Sequence, residues 1–280
     1  MMLTMVKIEL YKIFSKWRTY IGFIAVAILI SIIQIAMIVE GERGINFMTR
    51  NLQQSFIFVG NLLNGYFISY TILNALVIHI PFLITLVAGD LLAGEATAGT
   101  YRILVTRPVS RFRIVLAKFL AGLIYTNLLV LWMAIISLGI GILMFGVGEL
   151  IVIKNVNILI LARGDVLWRF MAAYGFAALS MTVVLSLAFL FSSLVENAIG
   201  PIVSTMAIIV VFVIISAFNI EFFQSIRPYL FTNYMQSWHY LFDDPIDMQD
   251  ILKSATVLVG HVVFFFSLTV YIFYKKDILS

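Results

Sequence analysis

Residues 170–195 read FMAAYGFAALSMTVVLSLAFLFSSLV, without a single Asp, Glu, Lys or Arg. About 20 apolar residues in a helix cross the hydrocarbon core of a bilayer. This stretch is long enough, and it is not alone. Thr19–Val39, Phe119–Gly148, Asn197–Ile220 and Ser254–Tyr274 are also free of charge. So is Asn51–Gly89, which is long enough for an exterior segment followed by one span from Tyr66. The reading is six spans, at about 19–39, 66–89, 119–147, 170–193, 198–219 and 254–274. The expected fold is an all-α polytopic membrane protein forming a single domain over residues 1–280.

Composition agrees. Of the 280 residues 62% are hydrophobic and 11% are charged, against about 45–50% and about 25% in a soluble domain. With no cysteine there is no disulfide framework, thiolate metal site or cysteine nucleophile. The first apolar stretch is too long for a signal-peptide core and lacks a small-residue cleavage site, so it reads as retained. The net charge of +4 is explained by orientation rather than by nucleic acid. With a cytoplasmic N-terminus, the inner segments hold eleven Lys and Arg against five acids, and the outer segments hold seven against nine. Both termini are therefore expected in the cytoplasm.

Working outward from the spans, Leu3, Val6, Leu10, Ile13, Phe14 and Trp17 recur at helical spacing, with Lys12 and Lys16 on the other face. Residues 2–18 read as an amphipathic helix running into span one, its cations on anionic lipid and Trp17 and Tyr20 at headgroup depth. Span four carries Ala172, Ala173, Gly175, Ala177 and Ala178, a composition that lets helices approach closely in lipid.

Between spans two and three, residues 90–118 read DLLAGEATAGTYRILVTRPVSRFRIVLAK. Gly99 permits a turn, and Thr100 is placed to cap a short helix over Tyr101–Thr106. Pro108 ends that helix, and Ser110 caps the next one, which becomes span three. Arg107, Arg111, Arg113 and Lys118 fall at the expected depth of lipid phosphates. A short helix held parallel to the membrane between two turns suits force transfer from a soluble partner.

This loop resembles that of the permease subunits of type-two ABC exporters, including the branch grouped with multi-copper enzyme maturation permeases. The match runs through Glu95, Gly99, Thr100, Leu104, Pro108, Val109, Ser110, Arg111 and Lys118. The resemblance implies that Thr100–Thr106, with Tyr101 and Arg102, is a coupling helix docking on a separate ATPase subunit. It also implies that residues 2–18 are the family's connecting helix. The implied partners are that ATPase, which would hold ATP and magnesium, a second permease subunit, identical or related, and membrane lipid. The implied location is the plasma (inner) membrane of a prokaryotic cell.

The chain has no G-x-x-x-x-G-K-[ST] phosphate loop, no H-E-x-x-H and no G-x-S-x-G, so it is read as no enzyme, binding no cofactor and no metal. No charge lies inside a span, which argues against a proton relay or sodium site. A pump with neither feature needs an outside motor. A stand-alone channel or secondary carrier, and a non-transporting assembly factor, stay open beside the exporter.

His79, Asn74 and Asn127 are the candidate substrate contacts, although packing and interhelical hydrogen bonds are the first reading of each. His261 lies in span six, and His239 in an outer aromatic segment. That segment, Asn219–Lys253, holds eight aromatic residues ahead of Asp243, Asp244, Asp247 and Asp250. It reads either as small outer helices gating an exit path or as an aromatic belt. A second outer segment, Glu149–Arg169, is expected to lay its Ile151–Ile153 and Ile158–Leu161 runs on the membrane surface.

Overall fold

The computed structural model describes residues 1–50, 61–100, 109–154 and 157–276. Six helices are long and apolar enough to cross a membrane: Trp17–Phe47, Ile80–Thr97, Arg111–Phe145, Arg163–Leu194, Ile199–Ala217 and Met248–Lys275. The chain is a multi-pass helical membrane protein. In lipid only a helix or a closed barrel satisfies its own backbone, which is why these apolar runs take this form.

The N-terminal helix α1 (Met2–Phe14) stops short of span one, contrary to the continuous run expected from its spacing. Lys16 is extended and caps α2 (Trp17–Thr49), and the Thr19 hydroxyl donates to the Ile13 carbonyl across the elbow. Helix α2 continues ten residues beyond Val39, past the ion pair between Glu40 and Arg43 at 3.1 Å.

The second span is broken into α3 (Gly65–Leu76), α4 (Ile80–Ala88) and α5 (Asp90–Thr97). Pro81 has no N–H to give the Val77 carbonyl and crowds it, so the helix restarts there. Span three is α6 (Arg111–Ala134), a π-helical turn over Ile135–Ile140, and α7 (Gly141–Phe145). The π turn is bridged by side chains: Gln34 donates to the Ile136 carbonyl at 3.1 Å and Ser69 to that of Ser137 at 3.0 Å. The closest backbone approach is here, where a Cβ on Gly65 would lie 2.6 Å from the Ile142 backbone. Of the small residues in span four, Ala173 and Ala177 are buried against neighbours, whereas Gly175 faces open space, since a Cβ there would meet nothing within 4 Å.

Isoleucine and valine runs over 150–161 form β1 (Leu150–Lys154) and β2 (Asn157–Leu161), an antiparallel hairpin pairing Leu150 with Leu161 through to Lys154 with Asn157. It is a local strand pair added to the expected all-α polytopic architecture. Short runs rich in β-branched residues favour strands, and the hairpin has two faces: Leu150, Val152 and Leu161 are buried, while Ile153 and Ile160 are exposed.

Helix α8 (Arg163–Leu194) is the axis of the molecule. Its most apolar window is 78% buried, against 22% for α9 (Ile199–Ala217) and 17% for α12 (Met248–Lys275). The outer faces of α2, α9 and α12 carry exposed Ile28, Ile32, Val203, Val211, Val263 and Phe264, as a lipid-facing surface requires. Between α9 and α12 the chain folds into α10 (Glu221–Ile226), α11 (Phe231–Met235) and 3-10 turns over Arg227–Tyr229 and Ser237–Phe242.

Candidate functional site

At the end of the bundle that carries α1, four charged side chains from three elements meet. Glu9 and Lys12 are one helical turn apart on α1 and pair at 3.1 Å. Lys12 also reaches Glu95 on α5 at 2.7 Å. Lys118, on the first turns of α6, pairs with Glu9 at 2.8 Å and Glu95 at 2.9 Å. Lys118 is 1% exposed. Each lysine therefore bridges both glutamates, and the four form a closed, formally neutral ring. Beside it Asp90 takes Lys16 at 2.5 Å and Arg18 at 3.2 Å.

This arrangement corrects the expectation that Lys12 and Lys118 lie on lipid phosphate, and it gives Lys16 the Asp90 carboxylate as its protein partner. The acids of α5 are within reach, and a lysine near apolar surroundings gains more from a fixed carboxylate than from a solvated headgroup. Burial pushes the Lys12 ammonium down, but hydrogen bonds to Glu95 and Glu9 and their negative charges outweigh it, and its pKa lies above the usual 10.5. Sequence reasoning missed Glu9, Lys12, Lys16, Arg18 and Asp90 as members of the site. The available signal was the Glu9–Lys12 spacing on α1 and the two acids, Asp90 and Glu95, at the end of an otherwise uncharged span.

Glu95 is fixed from its own helix as well. The Gly99 N–H donates to Ala96 and the Thr100 N–H to Glu95, with Gly99 left-handed at φ 65. This pattern is a Schellman stop, which favours glycine at that position. The Thr100 hydroxyl donates to the Glu95 carboxylate, turning back on α5. Tyr101, Arg102, Leu104 and Pro108, with the expected coupling helix, lie outside the described residues.

On the far side of the loop, Ser110 caps α6 by accepting from the Arg113 N–H at 3.4 Å. Arg111, expected at lipid phosphate, instead donates to the carbonyls of Tyr274 at 2.8 Å and Lys276 at 3.0 Å. It thus places a cation on the exposed C-terminal carbonyls of α12. Ser192 near the end of α8 accepts from the Leu92 and Ala93 N–H groups and donates to the Gly89 carbonyl. Thr97 donates to the Glu196 carbonyl at 2.7 Å. The two flanks of the 101–108 segment are thus bonded to α1, α8, α12 and the connector after α8.

The candidate substrate residues do not converge on this site. His79 turns back to the Ala75 carbonyl and Asn127 to that of Leu123, both on exposed faces. Asn74 meets His239 at 3.3 Å near the opposite end of the bundle.

Comparison with known proteins gives a family and one relative. The chain is 29% identical over 218 residues to the uncharacterized protein YhcI of Bacillus subtilis (strain 168), covering 76% of this chain and 67% of that one. Neither description names an activity. Residues 23–279, nearly the whole membrane domain, match the family described as "Protein of unknown function (DUF2705)", and the chain belongs to that family.

Proposed function

We propose that the chain is the membrane-spanning permease subunit of an ATP-driven ABC exporter, coupled to a separate ATPase subunit. The observation that carries this reading is the ion-paired ring of Glu9, Lys12, Glu95 and Lys118. It mechanically joins the loop between spans two and three to α1, while Ser192 and Arg111 join the same loop to the ends of α8 and α12. A push delivered to the flanks of the 101–108 segment has bonded routes into the helix ends at that face. The excess of Lys and Arg supports a cytoplasmic position for this face, and the resemblance through Glu95, Gly99, Thr100, Pro108, Ser110 and Arg111 supports the ATPase as the source of the push. The sequence holds no phosphate loop of its own, so ATP and magnesium would be bound by that partner. A second permease subunit would complete the path.

The test is affinity purification of the tagged chain from its native membrane in mild detergent, with captured proteins identified by mass spectrometry. The expected result is a stoichiometric ATPase carrying a phosphate loop. The double variant Gly99→Pro with Leu104→Asp should lose it. A wild type that captures no such subunit, or a variant that captures it equally well, would sink the proposal.

A further inference from the structure

A cavity of about 350 Å³ lies between α1, the start of α2 and α5. Its floor is apolar, formed by Ile13, Val87 and Leu91. Its rim is charged but unevenly so. The ring of two lysines and two glutamates is formally neutral. The neighbouring group is not: Asp90 is a single carboxylate shared by Lys16 on one oxygen and Arg18 on the other. The carboxylate is only 8% exposed, whereas the side chains of Lys16 and Arg18 are 46% and 39% exposed. Among the described residues one positive charge is left over, at the mouth of a cavity with an apolar floor, beside the elbow that leads into span one.

We infer that this cavity is a binding site for one anionic phospholipid of the leaflet bordering α1. Its phosphodiester lies against Lys16 and Arg18, and part of an acyl chain lies on Ile13, Val87 and Leu91. The surplus charge requires a monoanion. The floor requires that the anion carry an apolar continuation, which a free phosphate lacks. The depth of the elbow supplies such a molecule at high local concentration. Because binding needs neither an ATPase nor a particular orientation in the membrane, this site stands or falls separately from the exporter reading.

The experiment is native mass spectrometry of the purified full chain in detergent, with phosphatidylglycerol and phosphatidylcholine added in equal amounts. One basic side chain near a membrane surface favours an anionic lipid by about fivefold. The wild type should therefore retain one phosphatidylglycerol with about that preference. Arg18→Gln leaves Lys16 and Asp90 balanced, and the preference should fall to near one. Asp90→Asn raises the surplus to two charges, and the preference should rise about fivefold. A variant that merely misfolds would not gain. Leu91→Trp, which fills the floor without touching charge, should remove the bound lipid. Glycerol phosphate, the headgroup without chains, should not displace it at equal concentration. Equal retention of the two lipids, an unchanged preference in Arg18→Gln, or displacement by glycerol phosphate would overturn the proposal.

Discussion

The two ends of the bundle solve the same problem with different chemistry. At the α1 end, the loop after span two is fastened by ion pairs and helix caps: Lys12 and Lys118 across Glu9 and Glu95, Lys16 and Arg18 on Asp90, and Arg111 on the end of α12. At the opposite end, the segment after span five is fastened by rings. Trp238, Phe231 and Phe242 are almost completely buried, and Trp238 packs with Tyr70 at 5.5 Å between ring centres and with Phe242 at 5.9 Å. Arg169 adds charge there, bonding Asp165 on its own helix and the Leu241 and Asp243 carbonyls, and Arg227 donates to the Phe218 carbonyl at 2.7 Å. Interlocked rings fill one shape and resist rearrangement. A ring of charges in which each lysine bridges two glutamates offers alternative pairings within a small shift. The end expected to receive a motor is built from re-formable contacts, and the end expected to face outward is built as a packed cap.

The largest effect should come from breaking the charged ring asymmetrically. Lys118→Met leaves Glu9 and Glu95 with one cation between them in a buried place. Removing one partner from such a network costs about 3–5 kcal/mol. Thermal unfolding of the purified protein in detergent should fall sharply. Adding Glu9→Gln to the same chain should recover most of the loss, because Lys12 and Glu95 then remain as a balanced pair. If Lys118→Met unfolds like the wild type, the ring does not hold this end.

At the opposite end, Trp238→Ala should cost about 3 kcal/mol through the cavity it leaves. Trp238→Phe should cost much less. The indole N–H is buried with no hydrogen-bond partner, so its removal sacrifices no bond. The contrast can be read in the same melts. A large loss in Trp238→Phe would mean that a polar contact, rather than ring packing, fastens this end.

The sequence made the apolar parts of this molecule legible and the charged parts less so. A run such as Phe170–Leu194 contains its own instruction, since length and the absence of charge suffice to make it span. The break at Pro81 and the stop at Gly99 follow from single-residue backbone rules. The pairing of Lys12 with Glu95 and of Lys118 with Glu9 links positions 83 and 109 residues apart. Nothing in the local pattern of either partner distinguishes a cation bound for lipid from one bound for a distant carboxylate. The hairpin at Leu150–Leu161 was missed for a different reason. In a chain this apolar, a β-branched run reads as membrane surface, and no Asn-Gly or Asp-Gly pair marks the turn.

A smaller effect separates the backbone from the charges at the α1 end. Gly99 is left-handed, and a Cβ there would meet nothing within 4 Å. Gly99→Ala therefore adds only the conformational penalty, about 1–2 kcal/mol. The loss should appear as faster amide exchange at Gly99 and Thr100, whose N–H groups close the stop on α5, while the opposite end stays protected. Uniform loss of protection across the bundle would show that the stop and the core are not separable.

The smallest effect concerns pH and the most exposed member of the ring. The Lys12 side chain is 41% exposed, so solvent screening holds its link to Glu95 and Glu9 below about 1 kcal/mol. The pKa of Lys12 is raised in the folded state. In the unfolded chain the ammonium loses its proton near pH 10.5, and in the folded chain it does so only above that. The contribution is therefore complete below pH 10.5 and disappears as pH rises through the folded value. Wild type and Lys12→Met should differ by a small constant amount through the neutral range, and their melting temperatures should converge only in strong alkali. Convergence already near pH 8 would mean that the lysine is not held by the two glutamates, and that the contacts of α1 with the loop rest on Lys118 alone.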